Sequence, residues 1–132
     1  MIRGSCLCSA VRYEIHGPIE EIHHCHCGRC RKAHGAAFST FAQVRAGDLR
    51  LTAGADRLRR YRSSPPVERS FCADCGASLL FAVDTFPDLV WVAAGTFDDD
   101  PGVRPEAHIF VGSQAPWFAI TDALPQHEAY PA

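Results

Sequence analysis

At 132 residues, with 47% hydrophobic and 21% charged side chains, the chain is long enough to bury a core and too apolar to be a disordered segment. Thirteen Lys and Arg against fifteen Asp and Glu leave a formal net charge of −2, without the basic stripe typical of a nucleic-acid binder beyond Arg57, Arg59, Arg60 and Arg62, which read as the solvated face of a strand. No apolar run approaches the ~20 residues of a membrane-crossing helix, and no secretory signal peptide is visible, so a single cytoplasmic domain over residues 1–132 is expected.

In chain order, residues 11–16 (Val-Arg-Tyr-Glu-Ile-His) alternate apolar and polar, the period of a half-buried strand, and Gly17-Pro18 stops them. On this reading Cys6-Leu7-Cys8 opens the first strand. The stretch 28–35, barely two turns long, is the best helical signal. Further strands are expected over 39–44, 49–52, 58–61, 79–83, 90–94 and 107–111, separated by turn residues such as Ala46-Gly47-Asp48, Ser64-Pro65-Pro66 and Asp100-Pro101-Gly102. The tail over 124–131 is too rich in proline for a helix and is expected to lie extended against the body. The pattern is that of a mainly β domain.

Seven cysteines fall in three clusters: Cys6-Leu7-Cys8, Cys25-His26-Cys27-Gly28-Arg29-Cys30 and Cys72-Ala73-Asp74-Cys75. An odd count leaves one thiol out of any disulfide framework, whereas C-x-C and C-x-x-C bring two sulfurs onto one ion. A structural zinc takes four ligands and a catalytic one takes three plus an open position, so seven divides into four and three. Cys72 and Cys75, followed by Gly76, have the form of a zinc knuckle in which backbone amides point at sulfur. They need two more ligands, and the isolated pair Cys6 and Cys8 supplies them. Such a site ties the N-terminus to the middle of the chain, and zinc becomes part of folding.

Cys25, Cys27 and Cys30 are left for a second zinc with no fourth cysteine. Either an exogenous ligand completes that tetrahedron, or His23, His24, His26, His34 or His108 closes it; His26, between two ligands, is the least suited because it should point away. Three thiolates make zinc a soft, weak Lewis acid, better fitted to hold a substrate thiol than to activate water. A thiol held as thiolate is poised to attack an electrophilic carbon such as an aldehyde.

The chain resembles the glutathione-dependent formaldehyde-activating enzymes, whose domain also occurs in centromere protein V. The likeness runs through residues 4–13, 25–32 (Cys-His-Cys-Gly-Arg-Cys-Arg-Lys), 69–76 (Arg-Ser-Phe-Cys-Ala-Asp-Cys-Gly), 92–96, 104–110 and 113–117. It implies a β-tent fold of small sheets around zinc-bound hairpins, with Cys6, Cys8, Cys72 and Cys75 on a structural zinc and Cys25, Cys27 and Cys30 on a catalytic one. It also implies a carbon–sulfur lyase-type activity, the condensation of formaldehyde with glutathione to S-hydroxymethylglutathione. Ser9 stands where the family usually has glycine, and a small residue there should be tolerated.

Beside the second zinc, Arg29, Arg31 and Lys32 are candidates to offset thiolate charge or meet a glutathione carboxylate. His34 is a candidate proton shuttle. Phe38 and Phe41 are candidate pocket walls, and Trp91 is expected in the core. The rival function is a non-catalytic zinc module that binds a protein or nucleic-acid partner, which a histidine on the second zinc would favour.

Overall fold

A computed structural model describes residues 1–131. Ten strands, β1 (Ile2–Ser5), β2 (Arg12–Ile15), β3 (Glu21–Cys25), β4 (Ser39–Arg45), β5 (Leu49–Ala53), β6 (Leu58–Ser64), β7 (Val67–Cys72), β8 (Ser78–Val83), β9 (Leu89–Ala93) and β10 (Ala107–Ile109), accompany one helix, α1 (Gly28–His34). They form a three-stranded sheet in the order β1-β2-β5 and a seven-stranded sheet in the order β10-β3-β4-β9-β8-β7-β6. Among the described residues β10 runs parallel to β3 and the other strand pairings are antiparallel. The protein is mainly β, as the turn-punctuated sequence indicates.

Period-two alternation divides the large sheet into two faces with different work. One face packs on the small sheet: Val44, Val92 and Leu79 meet Val11, Tyr13 and Ile15 in a core that also contains Cys6 and Cys72. On the other face Phe41, Trp91 and Ala93 cluster with Cys25, Cys30 and Ile109. Each cysteine group is therefore embedded in its own hydrophobic cluster, on opposite sides of one sheet.

Three strands escape the alternation signal. β3 reads Glu-Ile-His-His-Cys, with Glu21 and His23 polar on what proves to be the cavity face, and β7 reads Val-Glu-Arg-Ser-Phe-Cys, with Arg69 interrupting the apolar face that Val67 begins. β1 contains Gly4, whose registered partner is Tyr13; a Cβ at Gly4 would sit 2.1 Å from Tyr13 Cζ, so the ring lies on the glycine backbone. Cys6 and Cys8 do not open a strand. They occupy the turn of the β1–β2 hairpin, because β1 pairs with β2 from Ile2↔Ile15 to Ser5↔Arg12 and leaves the chain between them to loop.

α1 fills the expected stretch: Cys27 caps its start, accepting from the Cys30 N–H at 3.3 Å, and Gly35 ends it at φ 59. The tail lies extended on β10, with the His108 N–H donating to the Pro125 carbonyl and the His127 N–H to the His108 carbonyl, each at 2.9 Å. β10 itself ends at Ile109, two residues earlier than expected, because Phe110 enters the left-handed region at φ 56 and Val111–Ser113 turn as a 3-10 helix.

Ser9 also adopts a left-handed backbone, at φ 66. A Cβ is penalised there and a glycine hydrogen is not. Ser9→Gly should raise stability by about 1 kcal/mol, read as an upward shift in the thermal midpoint; a lower midpoint would show that the serine side chain compensates the strain.

Candidate metal centres and the cavity beside the second

Cys6, Cys8, Cys72 and Cys75 converge from two hairpin turns, their Sγ atoms all within 4.8 Å of one another. Cys6 and Cys8 Sγ are 3.7 Å apart, and Cys8 and Cys72 Sγ 3.9 Å. A tetrahedron with Zn–S of about 2.3 Å has sulfur–sulfur edges of about 3.8 Å, so the set fits zinc. The separations are also far beyond a disulfide bond. Backbone amides point at these sulfurs, as the knuckle pattern indicates: the Val11 N–H donates to Cys6 Sγ at 3.3 Å. The Ala77 and Cys8 N–H groups bring the Cys75 thiol down to about 6. Cys6 and Cys72 are buried.

The second group, Cys25, Cys27 and Cys30, is brought together by the end of β3 and the first turn of α1, again within 4.8 Å. Hydrogen bonds among the thiols divide the protons unequally. Cys25 and Cys30, with the Cys30 and Arg29 amides, hold Cys27 well below the usual thiol value, while Cys25 is pushed up by its bonds to Cys27 and Cys30. Cys27 thus carries anionic character before Cys25 does, and a thiolate is the form that captures a soft cation. Arg69 donates from Nη2 to Cys30 Sγ at 3.6 Å and from Nε to Ser63 Oγ at 3.0 Å, and its guanidinium lies 5.4 Å from the Phe81 ring centroid.

The three cysteines open on a cavity of about 240 Å³. Phe41, Phe81 and Trp91 supply its apolar wall, with Phe81 and Trp91 stacked at 5.0 Å and 4°. Trp91 is buried as expected, and it is also a cavity wall. Phe41 lines the cavity too, whereas Phe38 lies on the reverse face, where it contacts the rings of His24, His26 and His108. Polar side chains reach the cavity from Glu21, His23, Arg29 and Arg69.

Among the described residues no histidine nitrogen or carboxylate joins the three sulfurs within 4.8 Å. The histidines named as possible fourth ligands are held elsewhere. His24 Nδ1 is 2.7 Å from Thr40 Oγ1, and His23 Nε2 is 3.7 Å from Glu21. His26, wholly buried, faces away from the cavity as the strand period requires, with Nε2 2.8 Å from His108 Nδ1. His108 Nε2 in turn lies 2.9 Å from Asp122, whose carboxyl it holds below the usual range. The carboxylate can only accept, so His108 donates from Nε2 and, when neutral, accepts at Nδ1 from His26. This chain ties the reverse side of the metal loop to the C-terminal segment.

Of the cations flanking Cys30, Arg29 reaches the cavity and Arg31 and Lys32 do not. Each helical residue turns about 100°, so with Cys30 inward the two that follow are carried round to other faces. His34, one turn on, lines the neighbouring pocket with Phe41 and Arg69, its ring 5.1 Å from Phe41. Burial, followed by the Arg69 charge, lowers its pKa, so it is a neutral imidazole near pH 7. Trp117 is exposed. Arg69, Glu21 and Phe81 are cavity residues without a sequence signal of their own. Arg69 sits in a matched motif, yet only the pairing of β7 with β8 shows where it points.

The family model described as glutathione-dependent formaldehyde-activating enzyme matches residues 1–113. A Halomonas elongata protein named as a candidate enzyme of that description is 28% identical, over 91% of this chain and 81% of its own length. A similarly named Aspergillus flavus protein is 31% identical over 82% of this chain and 59% of its own, and one from Fusarium vanettenii 28% identical over 85% and 62%. The chain thus spans about three fifths of the fungal relatives and most of the bacterial one. Among solved structures, a Rhodobacter sphaeroides protein superposes with a TM-score of 0.62 at 27% identity, covering 78% of this chain and 91% of that one.

Proposed function

The chain belongs to the glutathione-dependent formaldehyde-activating enzyme family, and from that premise we propose that it is a zinc-dependent enzyme of carbon–sulfur lyase type, joining glutathione to formaldehyde as S-hydroxymethylglutathione. The observation that carries this reading is the three-cysteine set, free of histidine, at the wall of an apolar cavity with two guanidinium groups. When bound there, zinc supplies a soft centre that favours the thiolate form of an incoming thiol over activation of water.

The chain's own residues do the rest. Cys25, Cys27 and Cys30 would hold the metal, and the cavity onto which they open would admit the thiol. Arg69 and Arg29 offset the accumulated sulfur charge. Phe41, Phe81 and Trp91 keep water from the reacting carbon. In the reaction a carbon–sulfur bond forms at the carbonyl carbon, the thiol S–H bond breaks, and its proton passes to the former carbonyl oxygen. Cys6, Cys8, Cys72 and Cys75 hold a structural zinc that makes one domain of the two sheets. His34 lines the neighbouring pocket beyond Phe41 rather than this cavity, so no direct proton transfer is assigned to it.

Elemental analysis should then show two zinc ions per chain, with mild chelation removing the one on three cysteines first. In cobalt-substituted protein, glutathione should change the cobalt–sulfur absorption bands on titration. Bands left unchanged by glutathione, cysteine and other small thiols would sink the enzyme reading and leave a zinc-bound interaction module.

A further inference from the structure

The cavity is electrically asymmetric, and strand register shows how. In the sheet beneath it Glu21 pairs with Gln43, Gln43 with Trp91, Trp91 with Phe81, and Phe81 with Arg69, and all but Gln43 line the cavity. These five residues form one cross-strand row, so Glu21 and Arg69 stand four strand spacings apart, about 19 Å along the sheet. Between them the row presents the stacked rings of Trp91 and Phe81. At the Arg69 end lie Cys30, which Arg69 touches, and Arg29. Along β3, Glu21 and Cys25 point to the same face four residues apart, about 13 Å of strand. Glu21 is accompanied by His23, and its oxygen, the His23 nitrogen and a Glu106 oxygen lie within 4.8 Å of one another.

We propose that this polarity fixes the orientation of the peptide thiol: its carboxylate near the sulfur is held by Arg69 and Arg29, and its more distant ammonium by Glu21. The inference rests on the proposed function, because it takes the three-cysteine end as the place of the sulfur. In glutathione the γ-glutamyl amine lies farther from sulfur than the glycine carboxylate does, which matches an acid placed well along the strand and cations beside the cysteines. His23, between Glu21 and Cys25 on the same face, is placed to donate to the γ-glutamyl carboxylate that neighbours the amine. The aromatic floor supports the peptide stem without adding charge. Simple thiols that lack the amine lose the Glu21 contact and gain a desolvated, unpaired carboxylate at that end.

The test compares three ligands on the cobalt-substituted protein, following the cobalt–sulfur bands: glutathione, its analogue with hydrogen in place of the γ-glutamyl amine, and its glycine amide. The deaminated analogue should bind about ten- to a hundredfold more weakly than glutathione, the range for loss of a charge-assisted hydrogen bond. Glu21→Gln should weaken glutathione by a similar factor while leaving the deaminated analogue unaffected. The glycine amide should weaken binding to the unmodified protein and to Glu21→Gln by the same factor. Equal affinity for glutathione and its deaminated analogue in the unmodified protein would overturn the orientation while leaving thiol binding intact. An extra cobalt ion bound by the unmodified protein and lost in Glu21→Gln would overturn it by assigning Glu21, His23 and Glu106 to a cation. Failure of every thiol to shift the bands would strike the proposed function instead.

Discussion

Cys72→Ser should leave the protein insoluble or unfolded, whereas Cys27→Ser should leave it folded and short of one zinc. Cys72 is fully buried at the end of β7, in the core that joins the two sheets, and its group links the β1–β2 turn to the β7–β8 turn. A structural zinc contributes on the order of 10–16 kcal/mol of apparent binding free energy in small peptides, more than the marginal stability of most domains. Serine offers a hard, protonated oxygen to that ion and leaves a polar group in an apolar core. Cys27 belongs to a local loop whose shape is also held by α1, by pairing of β3 with β4 and β10, and by the hydrogen bond from the His26 N–H to the Ile109 carbonyl. Zinc analysis and thermal melts of the two variants check this; equal thermal destabilisation would refute the division into structural and catalytic centres.

How much of this was legible in the sequence depended on which interaction fixed each feature. The four-plus-three grouping of cysteines follows from coordination number and spacing, which are local, and the structure assembles those two groups. Strands buried on one face, such as β2 and β9, announce themselves by alternation or apolar runs. β3 does not, because the face that alternation would make apolar carries Glu21, His23 and Cys25 toward the cavity. The same conflict hid β7, whose Arg69 faces the cavity. Arg31 and Lys32 looked as close to Cys30 as Arg29 does, and only helical rotation separates them. The register that puts Glu21 and Arg69 in one row is a property of four strand pairings, so no short stretch of sequence contains it. Ser9 is the opposite case: the departure from glycine is visible in the chain, and its left-handed backbone gives the reason that glycine suits the position.

Arg69→Met should lower the affinity of the three-cysteine site for metal by about ten- to a hundredfold, the usual effect of losing a group that orients a ligand from behind, and should lower turnover with it. The variant keeps an unbranched stem to cover Phe81 but removes the guanidinium that bridges Cys30 Sγ and Ser63 Oγ. It leaves the negative charge of the thiolates offset by Arg29 alone in an apolar cavity, where charge is least screened. A second readout separates this from simple loss of packing. The Arg69 charge is one of two causes that depress the His34 pKa, burial being the larger, so the His34 midpoint should rise in Arg69→Met, observed by nuclear magnetic resonance. Arg69→Lys keeps the charge but cannot fork between two acceptors, so His34 should stay depressed while metal affinity falls part of the way. Unchanged metal affinity and turnover in Arg69→Met, with His34 alone responding, would confine Arg69 to the electrostatics of the neighbouring pocket and remove it from the metal site.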